Sequence, residues 1–273
     1  MSGTPDLQDP RVAGDAIAVA ADRLRTAETS RIPTVPVRDL IGSDDLSAAY
    51  SVQQHIVGDR VAAGATIVGR KIGLTSPAVQ RQLGVDQPDF GFLFDDMAYT
   101  DGGNVPLSRL LQPKVETEIA FVLGRDLEDG ALDVADVAAA VAYAVAAIEI
   151  VDSRIANWDI TFGDTVADNA SSGLFVLGDH HTPLETFSPV ASAMRTLVDG
   201  HEVSTGTGDA CLGDPLNALS WLARAAREHG DPLRAGQVIL SGALGPMVPI
   251  TGPCTVRAEI TGLGSVSANF VKE

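Results

Sequence analysis

Apolar residues recur every three to four positions near the start of the chain. Ile17, Ala20, Ala21 and Leu24 share one face between Arg11 and Thr26, which predicts an amphipathic helix. Pro33 and Pro36 punctuate the chain after it. Ser43 and Asp44 then supply a helix start, and Leu46 through Ala62 predicts a second helix. From Thr66 the texture changes to short β-branched runs with glycines, through Ile67-Val68 and Lys71-Ile72-Gly73, where a sheet is expected to begin. Val115 to Leu123 alternates as a strand does. Val134, Val137, Val141, Val145 and Ile148 fall on one helical face and predict a third helix, followed by a short strand carrying Glu149. Pro215 to Arg227 predicts a fourth helix with Leu219, Leu222, Ala223 and Ala226 as its buried stripe. Strands follow at Val238–Leu240 and Met247–Ile250, then a hairpin of Thr255–Ile260 with Ser265–Phe270 around Gly262 and Gly264. The pattern is α+β: a small helical N-terminal part, residues 1–65, and a β-rich part with inserted helices, residues 66–273.

Composition narrows the class. A chain of 273 residues with 45% hydrophobic content can bury a core of ordinary depth, as at most two domains. A net charge of -17 argues against nucleic acid, which needs a dense positive surface. The alanine-rich run Ala138 to Ile148 falls far short of the roughly 20 residues that a membrane helix needs, so no membrane association is expected. Residues 1–10, with Asp6 and Asp9, lack the layout of a secretory signal, and a cytoplasmic location is expected. Cys211 and Cys254 read as ordinary reduced residues. An acidic protein that handles an anionic small molecule must create its own local positive field, and a bound cation supplies one.

Glu116-Thr117-Glu118 stands inside an otherwise apolar strand. Alternation puts both carboxylates on one face, where they repel unless protonated or bridged by a cation; the alternative is the solvated face of an edge strand. Glu149 sits in Ala146-Ala147-Ile148-Glu149-Ile150-Val151, where an unpaired charge is costly to bury, so it needs a partner. Three carboxylates from two neighbouring strands would form an oxygen-rich pocket suited to Mg2+ or Mn2+. Zinc fits less well: the five histidines show no paired ligand spacing, and His180-His181 before Pro183 reads as a solvated loop pair. Lys71, among small and apolar residues, is either a snorkelling surface residue or a site electrophile. Asp89, between Pro88 and Phe90, reads by itself as a turn cap.

Five segments resemble the 2-keto-4-pentenoate hydratase family, within the fumarylacetoacetate hydrolase superfamily. They are Lys71-Ile-Gly-Leu-Thr-Ser76, Leu83-Gly-Val-Asp-Gln-Pro-Asp-Phe-Gly91, Leu111-Gln-Pro-Lys-Val-Glu-Thr-Glu-Ile119, Asp164-Thr-Val-Ala-Asp-Asn-Ala-Ser-Ser172 and Ser241-Gly-Ala-Leu-Gly-Pro246. They stand in family order, and the similarity runs from about residue 40 to the end. The resemblance implies metal ligands at Glu116, Glu118 and Glu149, and proton-handling groups at Lys71 and Asp89. It also implies substrate-side positions at Leu74, Gln112, Ser172 and Ser241. Asp152, Asp168 and Asn169 read as structural hydrogen-bonding groups. The implied fold is a mixed β-barrel or β-roll catalytic core of fumarylacetoacetate hydrolase type. The implied activity is metal-dependent hydration of a 2-hydroxy-dienoic (2-keto-enoic) acid in the breakdown of aromatic-ring or steroid cleavage products. A homo-oligomer and a decarboxylase or aldolase partner are implied with it. The rivals are a 4-oxalocrotonate-type decarboxylase and a non-catalytic scaffold that binds keto acids or a partner. Carbon–carbon hydrolysis is disfavoured, because no histidine is placed for the His and Glu pair of the superfamily's hydrolases.

Overall fold

The computed structural model describes residues 10–76, 80 and 85–272. Leu83 and Gly84 of the second quoted segment, and Asp6 and Asp9, lie outside the described residues.

Three helices open the fold: α1 (Pro10–Ser30), α2 (Arg38–Ile41) and α3 (Leu46–Ala62). The stripe on α1 is buried at Ala20, Ala21 and Leu24 and extends to Ala27. Asp45, rather than Ser43 or Asp44, caps α3, its carboxylate accepting from Ala48 N at 2.9 Å. These helices share a core of their own, which also takes in Ile155, Phe162, Val166 and Ala167. The last three belong to the short helix Phe162–Ala167, so the helical layer is completed by residues far along the chain.

The rest is built on two open sheets. The larger has eight strands in the order β2 (Asp89–Phe94), β1 (Ile67–Gly73), β10 (Val238–Leu240), β5 (Lys114–Leu123), β6 (Val141–Val151), β7 (Ser172–Leu177) and β3 (Ala98–Thr100), with β11 (Val248–Pro249) also paired to β5. The smaller has the order β4 (Gly103–Pro106), β13 (Gly264–Val271), β12 (Cys254–Ile260), β8 (Ala193–Val198) and β9 (His201–Thr207). Both are mixed, with β1–β10, β3–β7 and β4–β13 parallel. The hydrogen-bonded path of each sheet ends on free strands among the described residues, so the expected barrel is corrected to two mixed sheets without closure. Between Leu123 and Val141 lies α4 (Val134–Ala138); the helices Phe162–Ala167 and Pro215–Glu228 are α5 and α6. On α6, Leu219, Leu222, Ala223 and Ala226 are buried as their spacing predicts, and Asp214 caps it through Leu216 N at 2.8 Å.

One element departs from expectation. The third helix stops after five residues, and Val141, Val145 and Ile148 belong instead to the eleven-residue strand β6. From Ala144 to Val151 every position of β6 is buried, because it runs between β5 and β7 near the middle of the larger sheet. A strand buried on both faces has no polar alternation, so its apolar run also satisfies a helical template. Pairing on both edges outweighs the helical preference of its alanines, which is worth only tenths of a kcal/mol per residue.

A carboxylate centre between β1, β2, β5 and β6

The antiparallel register of β5 and β6 sets Glu116 directly opposite Glu149. Glu118, two residues on, shares the face of Glu116. One carboxylate oxygen from each of the three glutamates lies within 4.8 Å of the others. Glu118 and Glu149 are fully buried, while Glu116 keeps partial exposure.

The hairpin of β1 and β2 closes the group. Lys71 stands opposite Gly91 and Gly73 opposite Asp89, and both charged side chains are buried. Lys71 Nζ lies 3.1 Å from Glu149 Oε1 as an ion pair. Burial opposes the Lys71 charge, but Glu149, Asp89, Glu116 and Glu118 outweigh it and hold the ammonium protonated. Burial pushes the Asp89 carboxyl up to about 6, against the pull of Lys71. Burial and the facing Glu149 push Glu116 up to about 7, and burial, Glu149 and Glu116 drive Glu118 well above the ordinary carboxylate range.

The hydrogen bonding of this group is incomplete. Glu118 Oε2 accepts from Gly242 N at 2.8 Å, yet Glu118 Oε1, Glu149 Oε2 and Asp89 Oδ1 have no partner, and Glu149 Oε1 has only its ion pair with Lys71. Buried polar atoms are almost always satisfied in folded proteins, and carboxylate oxygens are the costliest to leave bare. Repelling carboxylates with free lone pairs form an all-oxygen donor set, which fits a hard divalent cation.

The remaining expected positions divide. Ser172, at the start of β7, is buried and its hydroxyl has no partner. Leu74 follows β1 in the left-handed region at φ +56°, a conformation that costs a non-glycine residue about 1–2 kcal/mol. The Ser241 side chain turns toward the carbonyl of Gly242 at 3.3 Å, while its backbone N–H pairs with Ile119 O at 3.0 Å. Gln112 is committed elsewhere: its amide nitrogen donates to Ser153 O and Ile155 O at 2.8 and 2.5 Å, and its Oε1 accepts from Asn157 N at 3.1 Å. Asp152 accepts from Leu111 N and Gln112 N. Asn169 brackets Phe92, accepting from its N–H at 2.7 Å and donating to its carbonyl at 3.0 Å. Cys211 and Cys254 are free thiols, and the buried Cys211 Sγ donates to Ser241 O at 2.9 Å.

Three glycines that residue-by-residue reading passed over make the group possible. A Cβ on Gly73 would lie 2.1 Å from Asp89 Oδ1, and one on Gly91 would lie 2.3 Å from the carbonyl oxygen of Asn169. Gly242 supplies the N–H that holds Glu118, at φ +105° with Thr75 atoms 2.4 Å from where a Cβ would stand. All three fall within the quoted segments, so the signal was present in the motifs but not in any single residue.

Known proteins share this arrangement of sequence. Residues 66–271 match the family model described as fumarylacetoacetate (FAA) hydrolase C-terminal. The TodF product hydratase of Pseudomonas putida is 56% identical over 94% of this chain and 96% of its own length. A 2-keto-4-pentenoate hydratase of Burkholderia vietnamiensis is 55% identical over 94% of this chain and 98% of its own. Among solved structures, 4-oxalocrotonate decarboxylase from Pseudomonas putida G7, complexed with magnesium and adipate, superposes with a TM-score of 0.89. It is 34% identical and covers 94% of this chain and 98% of its own. Identity above one half across almost the full length of those relatives, together with the family match over residues 66–271, means that the chain belongs to the 2-keto-4-pentenoate hydratase family within the fumarylacetoacetate hydrolase fold.

Proposed function

We propose that this chain is a divalent-metal-dependent hydratase that adds water to 2-hydroxypenta-2,4-dienoate, or a close homologue, to give a 4-hydroxy-2-oxo acid. In this reading Glu116, Glu118 and Glu149 hold Mg2+ or Mn2+, and Lys71 and Asp89 handle protons. The observation that carries it is the convergence of three glutamates, with unpaired oxygens on Glu118 and Glu149, beside a buried Lys71 and Asp89, in a chain 56% identical to a hydratase.

When bound, the cation supplies Lewis-acid chemistry toward the substrate carboxylate and the oxygen on the next carbon. Lys71, kept protonated by the carboxylates around it, offsets substrate negative charge and delivers a proton to C5. Asp89, raised to about 6, is ionised near neutral pH yet basic enough to take the proton of the water that attacks C4. The Ser172 hydroxyl is free to meet a substrate oxygen. Leu74 shapes the wall beside Lys71, Ser241 leads into the Gly242 turn that holds Glu118, and Gln112 acts through the backbone it braces. Catalysis thus rests in residues 66–273, with residues 1–65 as a helical cover. The reading carries with it a homo-oligomeric cytoplasmic enzyme, with a decarboxylase or aldolase as its partner.

Decarboxylation is the second reading, favoured by the 0.89 TM-score to 4-oxalocrotonate decarboxylase. A decarboxylase must neutralise a second substrate carboxylate. Among the described residues, the two buried arginines are already committed: Arg70 pairs with Asp231 and Arg154 with Asp168. Hydration is therefore preferred. The test follows the ultraviolet absorbance of 2-hydroxypenta-2,4-dienoate with Mg2+, with Mn2+ and with chelator, and measures CO2 from 4-oxalocrotonate in parallel. Metal-dependent loss of the dienoate without CO2 release is expected; an inert dienoate, or CO2 as the main product, overturns the proposal.

A further inference from the structure

The orientation of Glu118 is set from another part of the chain, because the hydrogen bond it receives comes from the backbone N–H of Gly242. That N–H belongs to the same planar peptide group as the carbonyl of Ser241, so whatever fixes one end fixes the other. The carbonyl oxygen accepts from Cys211 Sγ at 2.9 Å, and the N–H donates to Glu118 Oε2 at 2.8 Å. Cys211 and Glu118 grip opposite ends of one rigid unit.

The peptides around it are pinned separately. Ser241 N–H donates to Ile119 O at 3.0 Å and Leu244 N–H to Thr117 O at 3.1 Å, which ties the turn to β5 on either side of Glu118. Neither bond sets the plane between Ser241 and Gly242. That plane turns about the φ of Gly242, and a glycine at φ +105° adopts negative φ as readily. A half-turn would aim the carbonyl oxygen, in place of the N–H, at the carboxylate. The thiol on the far side holds the oxygen away. Cys211 is itself firmly placed: it is fully buried in the turn before α6, and Leu212 N–H next to it donates to Thr75 O at 3.0 Å, at the end of β1. Burial pushes the thiol up, which keeps the proton it donates. An S–H group is a weak donor, but a bond accepted at the oxygen polarises the amide and strengthens donation from its N–H.

We propose that Cys211 is a positioning residue of the carboxylate centre: through the Ser241–Gly242 peptide it holds Glu118 in the orientation that ligates a divalent cation. The inference rests on the reading of Glu116, Glu118 and Glu149 as cation ligands. Mg2+ is titrated by calorimetry into the whole protein, unaltered and as Cys211→Ala and Cys211→Ser. Alanine and serine leave nearly the same gap and differ by one hydroxyl, which can donate to Ser241 O. C211A should bind Mg2+ about tenfold more weakly, and C211S should stay within about threefold of the unaltered protein. A packing role would weaken both variants alike. C211A binding within about twofold of the unaltered protein overturns the proposal, and so does C211S binding as weakly as C211A. An unaltered protein that binds no Mg2+ overturns the reading of the centre and this inference with it, whereas normal binding by the unaltered protein and by C211A removes this inference alone. Should C211A fail to fold, Cys211→Val, which fills the space without a donor, takes its place in the same comparison.

Discussion

Arg154 with Asp168, and Glu116 with Glu118 and Glu149, are both buried ionic groups, but their unfilled valences differ. Around Asp168 the bonding closes: its carboxylate accepts from Arg154 Nε at 2.5 Å, from Arg154 N at 3.0 Å and from Ser153 Oγ at 3.0 Å. Arg154 spends its other nitrogens on the carbonyls of Asp152, Ser172 and Asp168. Around the glutamates the charges are of one sign apart from Lys71, which pairs with Glu149 Oε1, and three oxygens, Glu118 Oε1, Glu149 Oε2 and Asp89 Oδ1, are left bare. A closed network fixes the shape of the chain; an open one is held in place by the surrounding sheet and keeps its valence for something else. The shared strain of burial is visible in both, since Asp168 is also pushed up to about 6 by burial despite its arginine.

Substitutions should separate the two. The largest effect is expected at Glu118→Gln, which removes one carboxylate but leaves an oxygen to accept from Gly242 N. Turnover should fall on the order of a thousandfold, since a Lewis-acid ion contributes several kcal/mol. Magnesium binding by calorimetry should weaken, and the melting temperature of the metal-free protein should hold or rise because like-charge repulsion is relieved. A metal-free protein that melts markedly lower would mean that Glu118 is a fold-stabilising residue. Asp168→Ala inverts this pattern. It strands the buried Arg154 charge and should cost about 3–5 kcal/mol in denaturant unfolding. Gly73→Ala should act on both measures more modestly. The new methyl displaces Asp89, lowering turnover on the order of a hundredfold and stability by about 1–3 kcal/mol.

The pH dependence adds a further separation. Glu116 and Asp89 have folded values of about 7 and about 6, above their ordinary values of 4.5 and 3.8. The folded state therefore keeps protons that the unfolded state has shed. Stability of the metal-free protein should fall as pH rises from about 4 through about 7, and Glu118, held well above the ordinary carboxylate range, adds to that fall. Saturating magnesium should flatten that slope, leaving the part due to Asp168. A slope unaffected by magnesium would detach the ion from Glu116. The smallest effect is expected at Thr117→Val, on the opposite face of the same strand, where Thr117 Oγ1 and Thr196 Oγ1 bond at 2.7 Å. About 1 kcal/mol of stability should be lost with no change in turnover.

Local pattern made the open group readable and left the closed one hidden. Glu116 and Glu118 announce a common face because strands have a period of two, and Glu149 announces a need for a partner because its neighbours are apolar. That Glu149 stands opposite Glu116 depends on register, which no short window contains, and the periodicity of the chain before it fits a helix as well as a strand. Lys71 and Asp89 were ambiguous singly and gained meaning from the resemblance. The grip of Arg154 on Asp168 spans 14 residues of non-periodic chain, and the capping of Glu118 by Gly242 spans 124. Such pairings follow from strand order and helix placement rather than from any local pattern.

The direct opposition of Glu116 and Glu149 sets a rule for how relatives of this chain can vary in length. Moving β5 past β6 by one residue would send every side chain of one strand to the reverse face. Insertions and deletions between 124 and 140 leave the pairing register alone, and their cost there is set by the burial of Leu127, Leu132 and Val137. Within the strands on either side, a single-residue change in length dismantles the centre, while a substitution of similar size does not.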